Sequence, residues 1–120
     1  MNDADGVVDW VAARQAVAAV SGKWAIPVLA ALAGGPRRHA EVRRQLGSGV
    51  SDKVLVETLR RMTNAGLLVR QGQPPSGPAP VAEYRLTATG RALLAPLAAM
   101  AVWQTVVAGA NPNGAAPGRA

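Results

Sequence analysis

The 120-residue sequence predicts an α+β domain, mainly α, in which a short β-hairpin lies between helices. Three observations lead to this fold class. Apolar residues recur at helical spacing in five segments. Turns that contain glycine or proline separate those segments. Two short stretches, LLVRQ and VAEYRL, have the composition of strands and flank a Pro- and Gly-rich loop, Gly72 to Pro80.

The first two predicted helices are short and apolar. One runs from Asp9 to Val20 and is broken by Ser21-Gly22. The next lies in KWAIPVLAALAG, with Pro27 in its first turns, where a missing N–H costs least. Gly34-Gly35-Pro36 is a strong stop. Residues 1–8 are expected to be a flexible N-terminus, and residues 110–120 a disordered tail after the domain of residues 9–109.

Two further helices joined by a glycine turn follow. The segment HAEVRRQL is the first, and Gly47-Ser48-Gly49 turns the chain. Ser51 is a good N-cap for the second, and Gly66 fits the position just after its end. The spacing predicts one buried stripe on this helix, made of Leu55, Leu59 and Met62. A short helix, a glycine turn and a second helix form a helix-turn-helix, and the hairpin after it adds a wing.

A last helix is predicted to begin at Thr87. Its apolar row consists of Leu93, Leu97, Met100 and Val107. The order of helix, helix, helix-turn-helix, hairpin and helix therefore predicts a winged helix-turn-helix domain with a helix at each end.

Composition limits the function further. The formal charge is +6, and seven basic against three acidic residues lie between Arg37 and Arg61, which favours a polyanionic partner. The absence of cysteine excludes disulfides and thiol chemistry. The single histidine, His39, has no second ligand or nucleophile beside it, so we expect no metal, no cofactor and no enzyme activity. No long apolar span or leader was found in the pattern, so we expect a cytoplasmic protein without a membrane partner.

Five motifs resemble the HxlR family of bacterial winged-helix regulators. They are SGKW, GPRRHAEVRRQL, GVSDKVLVETLRRM, NAGLLVR and AEYRLTATGRALL, which follow one another in the family's order over most of the chain. The resemblance implies a homodimeric, sequence-specific DNA-binding transcriptional regulator. It also implies that the first and last helices pair the subunits. Many members carry an N-terminal cysteine that senses oxidants, and this role cannot be carried over to a chain without cysteine.

The fourth helix is expected to enter the major groove of double-stranded DNA at an inverted-repeat operator. Lys53 lies near the entering end, and Glu57 could accept from a cytosine amino group. Ser51 is first a cap and second a phosphate contact, whereas Arg60 and Arg61 are explained equally well as phosphate contacts or as solvated charge. The predicted DNA contacts are Arg37, Arg38, Ser51, Asp52, Lys53, Val56, Glu57, Arg60, Arg61 and Arg85.

The remaining predictions concern the terminal helices and the tryptophans. The residues predicted to pair the subunits are Trp10, Val17, Leu97, Met100, Trp103 and Val107. Trp24 and Trp103 are a candidate pocket for a small-molecule effector of unknown identity, although such aromatics are more often plain core or dimer packing. The alternative function is a winged-helix module that binds an effector or a protein and no longer binds DNA. The positive charge of the helix-turn-helix counts against it.

Overall fold

The computed structural model describes residues 7–73 and 81–110. The elements are α1 (Trp10–Ala19), α2 (Ala25–Leu32), β1 (Arg37–Arg38), α3 (His39–Leu46), α4 (Asp52–Asn64), β2 (Leu68–Gln73), β3 (Val81–Leu86), α5 (Ala88–Arg91) and α6 (Leu94–Ala110). The mainly helical α+β class and the winged order of elements are confirmed. Most of the predicted wing loop (74–80), the first six residues of the predicted flexible N-terminus and residues 111–120 of the predicted tail lie outside the described residues.

One hydrophobic core joins α2, α3, α4 and the hairpin. Its largest fully buried side chains are Leu29, Leu32, Leu55, Leu59, Met62, Leu68, Val28, Val42 and Val50. The predicted stripe of α4 is therefore confirmed. Thr58 also lies inside, only 5% exposed, and its hydroxyl donates to the carbonyl of Val54 at 2.8 Å. That hydrogen bond satisfies the buried hydroxyl, which would otherwise be costly.

Both ends of α4 are fixed by local hydrogen bonds. The Ser51 hydroxyl accepts from the amide of Val54 at 3.1 Å, as its N-cap prediction requires. At the other end Gly66 has a φ of +82°, and its amide donates to the carbonyl of Thr63 at 3.0 Å. The amide of Leu67 donates to the carbonyl of Met62 at 3.0 Å. Together these two bonds form a Schellman motif, which stops the helix.

The sheet has three antiparallel strands in the order β1-β3-β2. The hairpin pairs Leu68 with Leu86 at its base, as the strand predictions imply. The two-residue strand β1 was not predicted, because two residues directly before a helix show no alternating pattern. Arg37 pairs with Tyr84 and Arg38 with Glu83. These pairs attach the start of α3 to the central strand.

The chain after Thr87 forms two helical segments rather than the single helix predicted. The Thr87 hydroxyl accepts from the amide of Gly90 at 3.0 Å and donates to the carbonyl of Gly66 at 2.6 Å. A Cβ atom on Gly90 would lie 2.1 Å from the carbonyl oxygen of Leu67. The short helix α5 is therefore pressed onto the base of β2, and α6 starts anew beyond the turn at residues 92–93.

Neither α1 nor α6 contains a fully buried residue. The expectation that the chain has no long apolar span is wrong, because Ala88–Ala110 is 23 residues long and apolar enough to cross a membrane by length and composition. The prediction followed one apolar row and missed that alanine and valine fill the other faces of the helix. A helix that packs against another protein has the same composition, so composition alone does not assign α6 to a membrane.

Candidate nucleic-acid interface

Helix α4 presents an exposed face opposite its buried stripe. Lys53, Val56, Glu57 and Arg60 are all exposed, and they recur three or four positions apart. Residues at this spacing lie side by side on a helix, so the four form one outer face. Four of the predicted DNA contacts are thus brought together. Val56, 40% exposed, is the apolar member of this face.

The start of α4 is tied to α3 by an ion pair. Arg43 of α3 donates to the carboxylate of Asp52, the first residue of α4. The side chains are 39% and 69% exposed, so solvent screens the pair and its contribution to stability is small. Its local effect is electrostatic, because the cation offsets the negative charge of Asp52 at the end of the helix that is predicted to enter the groove.

An open cleft of about 660 Å³ lies between α3 and α4, and we call it the turn-side cleft. Its lining residues are His39, Ala40, Arg43, Arg44, Gly47, Ser48, Asp52 and Val56. The Nε2 atom of His39 is buried there and has no hydrogen-bond partner among the described residues. Because Arg43 and Arg44 belong to this lining, two arginines flank one side of the α4 outer face.

A second open cleft, of about 420 Å³, lies between α4 and the hairpin, and we call it the wing-side cleft. Its lining residues are Val56, Arg60, Thr63, Asn64, Arg70 and Tyr84. Arg70 and Tyr84 are register partners in adjacent strands. Sequence reasoning missed both of them. The available signal was the period of two from the buried Leu68, which places Arg70 on the face of β2 that packs toward α4.

Arg37 and Arg38, the two arginines of β1, point to different partners. Arg37 is half-buried, and its Nε donates to the carbonyl of Ala31 at 3.2 Å, near the end of α2. The side chain of Arg38 is exposed. Its backbone amide donates to the carboxylate of Glu41 at 2.8 Å. This is one of the two hydrogen bonds of a capping box, the one that needs no side-chain acceptor at the N-cap. Arg38 is thus placed at the exposed start of α3, and Arg37 is already engaged by the protein.

Arg61 and Arg85 lie away from the α4 outer face. Arg61 donates through Nη2 to the carbonyl of Ser21 at 3.2 Å, in the turn between α1 and α2. Arg85 is exposed, and its Nε donates to the side chain of Gln71 at 3.4 Å, across the hairpin. Successive residues of a strand point to opposite faces, so Arg85 lies on the other face of the hairpin from Tyr84 and its partner Arg70.

A different surface is formed by α1, α2 and α6, and we call it the terminal-helix groove. Two neighbouring apolar cavities of about 290 and 280 Å³ lie along it. Among the predicted dimerisation residues, the groove is lined by Val17, Leu97, Met100 and Trp103. Trp10 lies on the same helix as Val17 and is 74% exposed, and Val107 is half-buried on α6.

The predicted effector pair is not brought together in this groove. Trp103 lines the groove, and Trp24 does not. The ring of Trp24 lies instead beside the helix-turn-helix turn, where a Cβ atom on Gly49 would be 3.5 Å from it. The ammonium group of Lys23 lies 5.3 Å from the centroid of the same ring. Trp24 thus supports the turn, and an effector role stays a prediction.

Residues 19–111 match the model of the HxlR-like helix-turn-helix family. The chain belongs to that family. It is similar to the HTH-type transcriptional regulator YtfH of Escherichia coli K12, with 34% identity over 90 residues, which cover 75% of this chain and 69% of YtfH. A regulator of Methanothermobacter thermautotrophicus is 33% identical over 88 residues, covering 73% of this chain and 65% of that one.

Solved structures give the same assignment of fold. A transcriptional regulator assigned to the MarR family, from Enterococcus faecalis V583, superimposes with a TM-score of 0.78 at 27% identity, covering 92% of this chain and 98% of that one. The reduced form of the regulator YodB of Bacillus subtilis gives 0.68 at 27% identity, covering 75% and 85%. This HxlR-like chain therefore has the winged helix-turn-helix fold that is found in transcriptional regulators. Its family and relatives are regulators rather than enzymes.

Proposed function

We propose that this HxlR-like chain is a sequence-specific DNA-binding regulator that acts as a homodimer on an inverted-repeat duplex. The observation that carries the proposal is the α4 outer face, which is exposed and lies between two arginine-lined clefts. A helix held at both ends can insert such a face into the major groove, while cations beside it contact the phosphates along the groove edges.

Side chains on the face and in the two clefts beside it have distinct chemistries for the duplex. Lys53 can donate to the O6 and N7 atoms of guanine, and Val56 can pack against the methyl group of thymine. Arg60 and Arg70 line the wing-side cleft and Arg44 lines the turn-side cleft, beside the centre of the face, where they are placed to contact phosphates. Direct readout thus comes from α4, and the clefts fix its register on the duplex.

The terminal-helix groove supports the homodimer. No charged residue occurs between Leu94 and Ala110, so this helix offers an acidic or basic partner no complementary charge. Trp103 and Met100 remain 63% and 56% exposed, and apolar surface of this kind marks an interaction site. Pairing with a second copy through α1 and α6 would cover it and would present two α4 helices to the two half-sites of an inverted repeat.

The experiment starts from fragments of the organism's genomic DNA selected on the full chain. The recovered sequence is then tested by fluorescence anisotropy as an intact inverted repeat, as a single half-site and as a scrambled duplex, at several salt concentrations. We expect the intact repeat to bind best, with a log–log salt slope on the order of −4 to −8. Equal affinity for the scrambled duplex would contradict sequence-specific binding, and a flat salt response would contradict phosphate contacts.

Replacement of Lys53 and of Arg38 by alanine should have different kinds of effect. Lys53→Ala should lower affinity for the operator by about 1–3 kcal/mol and affinity for scrambled DNA much less. Arg38→Ala should weaken both duplexes alike and reduce the salt slope by about one unit. Both side chains are exposed, so the melting temperature should hardly change.

Arg14→Ala is the matched control, because it removes the same charge from the exposed face of α1. It should leave the ratio of operator to scrambled affinity unchanged. If Lys53→Ala lowers both affinities equally, Lys53 is a phosphate contact, and α4 does not read base edges at that position.

A further inference from the structure

We propose that Arg61, an exposed residue on the flank of α4, is a positioning residue that fixes the angle of the helix in the groove and does not contact DNA. This inference rests on the proposed function and differs from the role that the sequence predicted for Arg61. It gives the two adjacent arginines of α4 separate tasks. Arg60 lines the wing-side cleft, whereas Arg61 binds the turn between α1 and α2.

The two guanidinium groups leave the helix in different directions. Consecutive residues of an α-helix are about 100° apart around its axis. Arg60 is seven residues after Lys53 and therefore lies almost in line with it on the outer face. Arg61 is rotated away from that face, and its Nη2 donates to the carbonyl of Ser21 at 3.2 Å. A side chain engaged on that side of the helix does not point along the outer face.

The acceptor of this hydrogen bond is itself held in place. The amide and the hydroxyl of Ser21 both donate to the carbonyl of Ala18, at 3.3 and 2.9 Å. These contacts attach Ser21 to the C-terminal end of α1. Ser21 also lines the terminal-helix groove. Arg61 thus connects the helix that is proposed to read DNA with the surface that is proposed to pair the subunits.

The next residue, Gly22, leaves room for the guanidinium. Its φ of +95° is a conformation that side chains with a Cβ rarely adopt. A Cβ atom on Gly22 would also lie 3.0 Å from Nη2 of Arg61. An alanine would therefore strain the turn and would displace the guanidinium by a few tenths of an ångström. Both the positive φ of Gly22 and the absence of a Cβ atom there allow the turn to accept the Arg61 guanidinium.

A positioning role has a recognisable consequence for binding. The Arg43–Asp52 pair links the N-terminal end of α4 to α3, and the Arg61–Ser21 bond links its C-terminal end to the turn between α1 and α2. Hydrogen bonds to base edges depend steeply on angle, whereas phosphate attraction does not. Loss of the Arg61 contact should therefore weaken binding to the operator and leave non-specific binding and its salt slope nearly unchanged.

The test compares Arg61→Gln with Arg60→Gln, which removes the same charge one residue earlier. Affinities for the selected operator and for a scrambled duplex are measured by anisotropy over a salt series. We expect Arg61→Gln to lower operator affinity about tenfold, with scrambled affinity and salt slope unchanged. We expect Arg60→Gln to weaken both duplexes and to reduce the slope by about one unit. A reduced slope for Arg61→Gln would make Arg61 a phosphate contact and overturn the proposal.

Gly22→Ala tests the same contact from the other side. It should lower operator affinity when Arg61 is present and have a smaller effect when Arg61 is already glutamine, because the strain at Gly22 is common to both backgrounds. Additive effects in this double-mutant cycle would mean that the two residues act independently, which contradicts the proposal. Circular dichroism and melting temperature show which variants are folded, and only folded ones enter the cycle.

Failure of the positioning role is distinguishable from failure of the proposed function. If Lys53→Ala and Arg60→Gln impair operator binding and Arg61→Gln does not, α4 reads DNA without help from Arg61. If the chain selects no DNA, both the function and the positioning role are wrong.

Discussion

The helix-turn-helix side and the terminal-helix side of this molecule use their apolar residues in opposite ways. In α4 the residues Leu55, Leu59 and Met62 are at most 1% exposed. In α1 and α6 no residue is buried, and Trp10 and Trp103 are 74% and 63% exposed. One side is packed within a single chain, whereas the other still has an apolar surface to cover.

Local helix signals do not explain this difference. The carboxylate of Asp9 accepts from the amide of Ala12 at 3.0 Å, so α1 is capped as well as α4. Within the part of the chain that the structure describes, no neighbour buries the apolar face of α1. Capping and periodicity are thus sufficient to form a helix. Whether the apolar face of that helix is buried depends on the neighbours that the rest of the chain places against it.

The largest expected difference between the two sides is in the free energy of unfolding. Leu59→Ala, at a buried site of α4, should lower the stability by about 2–5 kcal/mol. Met100→Ala, at a 56% exposed site of α6, should lower the stability of the monomer by less than about 1 kcal/mol. Urea denaturation at a protein concentration where the monomer prevails gives both values. Similar losses for the two variants would mean that α6 is part of the core.

Association should show the reverse order. Trp103→Ala should weaken a homodimer by about 2–4 kcal/mol, because two copies of a large aromatic leave the interface. Thr105→Ala is the control, since the Thr105 hydroxyl donates to the carbonyl of Ala101 within α6 itself. Sedimentation velocity measures the dimer fraction. A monomer at micromolar concentration would contradict the homodimer, and flotation of the chain with lipid vesicles would assign α6 to a membrane instead.

Replacement of two helical glycines, Gly90 and Gly109, should give a smaller difference in stability between the two sides. Gly90→Ala should destabilise the fold by about 1–3 kcal/mol, because its Cβ would collide with the carbonyl oxygen of Leu67. Gly109→Ala meets nothing within 4 Å and should be neutral or stabilise α6 by up to about 1 kcal/mol. Thermal melting of both variants measures the difference. If Gly90→Ala melts like the parent, α5 is not pressed against the base of β2.

The sequence predicted those parts whose causes are local. The bounds of α3, the N-cap at Ser51, the stop at Gly66 and the stripe of α4 follow from capping chemistry and from the helical period. The hairpin strands follow from composition and alternation. In each case the residues that decide the structure lie within a few positions of it, so a pattern in the sequence records them.

The parts that could not be predicted depend on distant contacts. The strand β1 exists because Arg37 meets Tyr84, and the wing-side cleft exists because the register pairs Arg70 with that same tyrosine. The sequence leaves Arg61 equally open to a phosphate contact or to solvated charge, because the Ser21 carbonyl that accepts from it is 40 residues away. Direction of a long side chain is set by such partners and not by spacing along the chain.

The distribution of the tryptophans gives the molecule an intrinsic optical reporter. It has three tryptophans, one tyrosine and no phenylalanine, so indole dominates its near-ultraviolet absorption and emission. Trp10 and Trp103 lie in water on the terminal helices, whereas Trp24 is half-buried beneath Lys23 beside the turn of the helix-turn-helix. Covering α1 and α6 would shift emission of the first two toward the blue, while events at the turn would alter only the third. The proposed assembly and the proposed docking to DNA can thus be followed separately in the unlabelled protein, with single tryptophan replacements to assign each signal.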